Sequence, residues 1–334
     1  MSSGDDIAVR LVAPAEASLL IALIRSCYGE TYVDPSFYHE PAVSELLASQ
    51  RLHSIGAFTD AGQLVGHMGI TARAHGGITA DAGMTLVDPA FRGRGIARRV
   101  AGGLARQSMA LGLVGVHDYP VTVHAATQRI GAGFGVDTGL MLANMPGDVV
   151  FQEIETPAPG ARTSSLIRWL PFGLARERNV YLPERYRAQI ESLYAEAHLS
   201  RTALQSNEGV GELESELEQV YDERRQILRV AVARAGGDLA ARVEAEIREA
   251  AMRGALVAHV DLPLADPATP MATEALRTQG FSFAGLLPEY RDGDVLRLQW
   301  LADAVDETAF SVLSTDATQV IAALVLKDRG SMST

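Results

Sequence analysis

Val87-Asp88-Pro89-Ala90-Phe91-Arg92-Gly93-Arg94-Gly95-Ile96-Ala97 is the stretch that decides how this chain folds. An apolar run from Met84 to Val87 stops at Asp-Pro, and small and basic residues follow. Beyond them Ile96, Val100, Leu104 and Leu111 recur at helical spacing. A strand feeding a glycine-rich loop into a helix N-terminus makes an anion site. Unpaired backbone N–H groups and the positive end of the helix dipole converge there. The glycines admit close approach and positive φ, while Arg92 and Arg94 add charge. The loop is suited to a pyrophosphate.

Two familiar phosphate loops do not fit. A P-loop would end in Gly-Lys-Ser/Thr at the helix start. A dinucleotide loop would need a third glycine, and Arg98 stands there instead. What remains is Arg-x-x-Gly-x-Ala, carried by Arg92, Gly95 and Ala97. This resembles the acetyl-CoA-binding motif of the GNAT acetyltransferase superfamily. The flanks are similar to the rest of that fold. A strand from Ile7 to Val12 precedes helices over Ala15 to Gly29 and from Pro41. Strands His53 to Thr59 and Gln63 to Ala74 flank an Asp60-Ala61-Gly62 turn, and Ile78 to Val87 leads into the loop. After the loop helix come a strand over Leu113 to Val123, a short helix over Ala126 to Ala132, and a strand through Met141 and Leu142. The resemblance covers roughly residues 5–172, and implies an α/β (α+β) fold with a mixed, mostly antiparallel sheet flanked by helices.

The second half echoes the first. Gly133-Phe134 followed by Gly139-Leu140 has a counterpart in Gly280-Phe281 followed by Gly285-Leu286. A helix over Leu239 to Met252 and a strand over Ala255 to Leu262 precede that counterpart, as Ala97 to Leu111 and Leu113 to Val123 precede the original. A helix over Pro183 to Ala197 and strands near 213–221 and 226–234 complete the set. We therefore expect two tandem acetyltransferase-like domains, residues 1–175 and 176–334, with the boundary near Phe172 to Pro183. The Pro/Gly-rich Thr156 to Gly160 is expected to join two strands of the first domain. Asp238 falls where Gly95 sits in the first copy, so a carboxylate is expected to occupy the helix amides and repel phosphate. The second copy should bind no CoA, and should wall the acceptor site. Asp316 to Leu326 reads as a terminal helix packed on the second domain.

Composition narrows the function. A single cysteine, Cys27, leaves no intramolecular disulfide. No basic-then-apolar leader and no run of about 18 apolar residues is present, which points to a cytoplasmic protein without a membrane span. A formal charge of −12 argues against nucleic-acid binding and suits an amine or basic peptide acceptor. His-x-x-His and Cys-x-x-Cys spacings are absent, so no metal is expected; neither is there a Gly-x-Ser-x-Gly elbow for hydrolysis. Monomer and homodimer both stay open.

The resemblance implies acyl transfer from acetyl-CoA or another acyl-CoA to an amine. Backbone groups of Leu86 and Val87 would bind the pantetheine arm, and Arg92, Gly93, Arg94, Gly95, Ile96 and Ala97 the pyrophosphate. Arg98 and Arg99 are further phosphate candidates. Asp81, on the strand before the loop, is the first candidate for the base, and His67 is a second residue to face the cleft. Many members carry a Tyr four residues before the Gly-Phe pair, where this chain has Arg129, which cannot release a proton. The thiolate's proton then needs another source among His117, Asp118, Tyr119 and His124. His124 is preferred, its ordinary pKa near ~6.5 suiting proton exchange, with Tyr119 next. Two other readings stay open: a non-catalytic acyl-CoA-binding sensor or interaction module, and an acyltransferase that takes its donor from an acyl carrier protein.

Overall fold

A computed structural model describes residues 7–72, 77–154, 160–206, 214–302 and 312–331. Thr156 to Pro159, the end of the strand expected to reach Ala74, and the start of the strand near 213 lie outside the described residues.

The first half begins with β1 (Ala8–Leu11), α1 (Ala17–Tyr28) and α2 (Glu40–Ala48). The antiparallel β2 (Leu52–Phe58), β3 (Leu64–Thr71) and β4 (Thr79–Val87) follow. Period-two alternation puts Ile55 and Ala57 on one face, packed on Ile96, Val100 and Leu104 of α3 (Ile96–Ala110). Leu52 and Phe58 fall on the other face, against Leu20, Ile24, Val43 and Leu47 of α1 and α2. Leu111, expected on the buried stripe, lies just past the helix and is 39% exposed. β5 (Gly115–Asp118), α4 (Ala125–Gly131), β6 (Val136–Met145) and β7 (Thr163–Pro171) complete this half.

β5 is much shorter than the strand expected over Leu113 to Val123. Pro120 has no N–H to continue a ladder, and the chain turns away at Tyr119. β4 and β5 run parallel but pair only over Thr79–Ala82 and Gly115–Asp118. From Gly83 to Val87, β4 keeps a strand neighbour only on the β3 side. The two strands splay.

In the second half, β8 (Arg178–Tyr181) and β9 (Arg201–Leu204) form a separate parallel pair around α5 (Arg187–Glu196). β10 (Glu216–Asp222), β11 (Ile227–Arg234), α6 (Leu239–Met252), β12 (Val257–Pro263), α7 (Thr269–Arg277), β13 (Ser282–Leu287) and β14 (Val295–Leu301) follow. The spatial order β3-β4-β5-β7-β6 is repeated, reflected, as β13-β14-β12-β11-β10. Senses agree too: β4–β5 and β11–β12 are the parallel pairs, and the other pairs in the two runs are antiparallel.

The sequence did not foretell that β6 and β13 join the halves into one sheet, of 12 strands among the described residues. Their ladder is minimal, with Gly139 opposite Gly285 as the one register pair. The Gln299 amide supplements it, accepting from Leu142 N at 2.8 Å and donating to the carbonyls of Leu140 and Phe283 at 3.2 Å. The terminal helix α8 (Asp316–Gly330) also contacts both β6 and β13, rather than the second half alone. It buries Ile321, Ala322 and Val325, and Asp328 receives Phe283 N at 2.8 Å and Arg277 at 2.9 Å.

Candidate functional site

The splay is framed by a bulge in β4. Register slips between His67/Leu86 and Gly69/Gly83, and Met84 sits at φ 53°. A non-glycine residue there is strained and needs support. His67 supplies it: Nδ1 lies 2.9 Å from Met84 O, and Nε2 lies 2.6 Å from Ser54 Oγ. A carbonyl only accepts, so Nδ1 carries the proton and Nε2 accepts from Ser54. Complete burial lowers the His67 pKa to about 4. His67 therefore faces the core and not the cleft, correcting the sequence expectation.

Beyond the bulge, Asp88 caps a short turn by accepting from Ala90 N at 2.9 Å, and the loop swings into α3. Gly93 and Gly95 adopt φ 78° and 73°, Gly95 being the N-cap of α3, with open space where a Cβ would lie. A cavity of about 550 Å³ runs from this loop along β4, past Leu86, Val87, Arg92, Gly93, Gly95 and Ala97. Ile96 borders it, but its side chain is buried against Gly66. Arg92 is anchored by donating to Gln152 O at 2.9 Å. Arg94 does not line this cavity: its guanidinium stacks on Phe91, 4.8 Å from the ring centroid. Arg98 lines it, whereas Arg99 donates to Ile7 O.

A second cavity, of about 430 Å³, opens on the other side of the splay. The two share Tyr28, Thr85, His124 and Thr127. Asp81 and Tyr119 line the second cavity, where the Tyr119 hydroxyl donates to Asp81 Oδ1 at 3.0 Å. Asp118 lines it too; burial raises its carboxyl to about 6 against the opposing pull of Arg168. His124 is the N-cap of α4, with its ring edge-on to Phe151 at 5.5 Å. Burial, then Arg92, lowers its pKa. His117 is buried against Trp169 and Tyr290 and lines neither cavity. Arg129 is exposed on α4 and also lines neither.

The far wall of the second cavity comes from the other half of the chain, including Arg225, Arg229, His259, Tyr290 and Arg297. The sequence reading did not single these residues out, although a signal was present. Ile-Leu-Arg229-Val, Val-Ala-His259-Val and Val-Leu-Arg297-Leu each put one charged or ionisable residue into an apolar strand run, and such a residue needs a partner.

The loop equivalent in the second half is closed by the protein itself, with partners other than those expected. The Asp238 carboxylate does not cap its helix. It accepts from Ser215 N at 2.8 Å and Ser215 Oγ at 2.6 Å. The loop amides Ala235 N and Gly236 N go instead to Asp266 Oδ2 at 2.8 Å and Ser215 Oγ at 2.9 Å.

The glycine-rich strand–loop–helix beside a splayed parallel pair is the arrangement that the resemblance to acetyltransferases implies. Residues 19–126 match the acetyltransferase (GNAT) family model. No curated protein sequence matches the chain. Among solved structures, an N-acetyltransferase from Staphylococcus aureus Mu50 is 12% identical, spanning 50% of this chain and 99% of its own, at TM-score 0.41. The ribosomal-protein-S18-alanine N-acetyltransferase from Escherichia coli is 11% identical over 51% of this chain and 97% of its own, at TM-score 0.40. A GNAT-family N-acetyltransferase from Escherichia coli in complex with CoA is 17% identical over 50% and 83%, at TM-score 0.33. Among the described residues no helix is long and apolar enough to cross a membrane, and no group of three His, Cys, Asp or Glu could hold a metal.

Proposed function

We propose that the chain is an acyl-CoA-dependent N-acyltransferase that passes its acyl group directly to an amine in a ternary complex. In this reading residues 1–175 hold the donor, and residues 176–334 are a degenerate copy that walls the acceptor cavity and binds no CoA. The observation that carries it is the meeting of two cavities at Tyr28, Thr85, His124 and Thr127. One leads from the glycine-rich loop, and the other is lined by both halves of the chain.

The loop amides at the head of α3, with Arg92 and Arg98, would hold the pyrophosphate. The open edge of β4 at Leu86 and Val87 offers backbone groups to the pantetheine arm. The acyl carbonyl then reaches the junction, where the amine attacks from the second cavity. The C–N bond forms, the C–S bond breaks, and one amine proton must reach the departing thiolate. His124 stands at the crossing. Burial keeps its imidazole neutral at neutral pH, so it serves first as proton acceptor from the amine and only then as donor to sulfur. This revises the simpler assignment of a resting acid. Asp81, with Tyr119, would orient the incoming amine.

The test is calorimetry followed by thiol release. Acetyl-CoA should bind at one site per chain, and a panel of primary amines should elicit free thiol. A chain that binds acetyl-CoA yet releases no thiol with any amine or acyl length is a sensor, and two sites per chain contradict the role given to residues 176–334. Thiol release with an acylated carrier protein but not acyl-CoA would transfer the donor role to the carrier.

A further inference from the structure

The second cavity is polarised, and the polarity describes an acceptor. Its first-half side carries carboxylates, Asp81 and Asp118. Its second-half side carries guanidiniums that are not balanced. Arg225 and Arg229 both donate to Asp222 Oδ2, at 3.0 and 3.1 Å, and among the described residues no other carboxylate pairs with either. Two positive charges thus share one negative charge. Arg297, by contrast, is neutralised by a bidentate pair with Asp261 at 2.7 Å to each oxygen.

Buried polar atoms supply an independent observation. His259 is 2% exposed, lies beside Arg229 in the register of β11 and β12, and lines the cavity. Neither of its ring nitrogens has a hydrogen-bond partner among the described residues. Asn144 Oδ1 is likewise buried on the same cavity without a partner among them. Folded proteins satisfy nearly all such atoms. Several on one cavity, beside an excess guanidinium, describe a site completed by a polar ligand. Gln299, the third residue in that row across β14, β12 and β11, is already committed to the junction of the halves.

We infer that the acceptor is a small amine bearing an anionic group, a carboxylate or a phosphate, which Arg225 and Arg229 grip while His259 hydrogen-bonds it from the sheet. The inference rests on the acyltransferase reading and names the substrate class for its acceptor cavity. Arginine suits either anion, because its fork pairs two donors with two acceptor oxygens. Asp81, on the opposite side, suits the ammonium end before proton transfer.

The experiment uses the full-length chain and matched acceptors: lysine against lysinamide and cadaverine, and phosphoethanolamine against ethanolamine, with spermidine as a cationic control. The anionic member of a pair should show kcat/KM higher by roughly 10²-fold, mostly through KM. Whichever pair responds identifies carboxylate or phosphate. Arg229→Gln and Arg225→Gln should each lower the ratio of kcat/KM for the anionic acceptor to that for its partner without the anionic group, while leaving acetyl-CoA affinity unchanged. Arg229→Glu should favour the neutral or cationic acceptor. Binding is read separately, by titrating the same amines into the CoA complex. Preference for neutral or cationic amines, no binding by either anionic acceptor, or anionic binding that survives the Arg225/Arg229 double variant overturns the inference. Failure of acetyl-CoA to bind or react with any amine overturns the acyltransferase reading instead.

Discussion

Gly139 and Gly285 meet face to face where the two halves of the sheet join, each in the other's only register pair across β6 and β13. A Cβ on Gly139 would lie 2.5 Å from Gly285 Cα, and one on Gly285 would lie 2.8 Å from Gly139 Cα. Neither backbone can retreat without parting the sheet. The absence of side chains at both positions lets the two halves join in one sheet, and the second half supplies the far wall of the second cavity.

Gly285→Val should therefore act on the acceptor more than on the donor. Overpacking of this kind costs about 1–3 kcal/mol, seen as a lower unfolding midpoint in urea. KM for the amine should rise, because Arg225, Arg229 and His259 move with their sheet. The dissociation constant of acetyl-CoA should stay within about twofold, since its loop lies entirely in the first half. A variant with normal amine KM would detach the junction from the site.

At the loop, two substitutions of Gly95 separate backbone strain from charge. A Cβ there meets nothing, but φ 73° is left-handed. Gly95→Ala should lose about 1–2 kcal/mol of stability and bind acetyl-CoA less tightly without abolishing binding. Gly95→Glu sets a carboxylate against the pyrophosphate and should leave no calorimetric signal at millimolar acetyl-CoA. Both proteins need only a circular-dichroism spectrum matching the parent for the comparison to hold.

How much of this was written in the chain? The shape of the loop before α3 was legible in the sequence, because the positive φ at Gly93 and Gly95 shows as glycines. The repeated strand order left its mark in the Gly-Leu pairs, since Gly139 and Gly285 approach backbone to backbone where only glycine fits. The side-chain chemistry was less so. Asp81 and Tyr119 were named apart, and only the fold brings them within 3.0 Å. His67 looked like a cleft residue because a histidine on a strand alternates onto one face or the other, and the bulge at Met84 that claims it leaves no mark in composition. Arg94 carried the right charge in the right loop, yet its stem folds back over Phe91. Arg229 and His259 line the same cavity as Asp81 although they lie 148 and 178 residues from it in the chain, a separation no local pattern spans.

The position of His124 makes a pH prediction. Its pKa is lowered by burial and by Arg92, so the neutral form needed to accept a proton persists at neutral pH. Activity is lost as pH falls through that lowered value. The kcat/KM profile should carry an acidic limb below about 6.5, the ordinary histidine value. His124→Gln should lower kcat by about 10²-fold and remove the limb, with acetyl-CoA affinity retained. Asp118, raised to about 6 by burial, titrates in the same region. Asp118→Asn distinguishes the two: if it removes the limb and His124→Gln does not, Asp118 is the group that accepts the proton.

His67 offers a stability test independent of turnover. Its folded pKa of about 4 lies below the unfolded value near 6.5, so between those values the unfolded chain binds a proton that the folded chain refuses. Stability from this residue is full above pH 6.5 and is lost as pH falls toward 4, by roughly 3 kcal/mol over the window. Asp118 contributes with the opposite sign, because its raised pKa favours the folded state on the acid side of about 6. That contribution is common to the parent and a His67→Asn variant and drops out of their difference. Asparagine keeps a donor for Met84 O but does not titrate. The parent should therefore exceed the variant in urea-unfolding free energy at pH 7.5, and the gap should narrow sharply by pH 4.5. A gap that does not change with pH would mean that His67 takes up a proton as readily in the fold as in the unfolded chain, and that something other than a neutral buried imidazole holds Met84 at its positive φ.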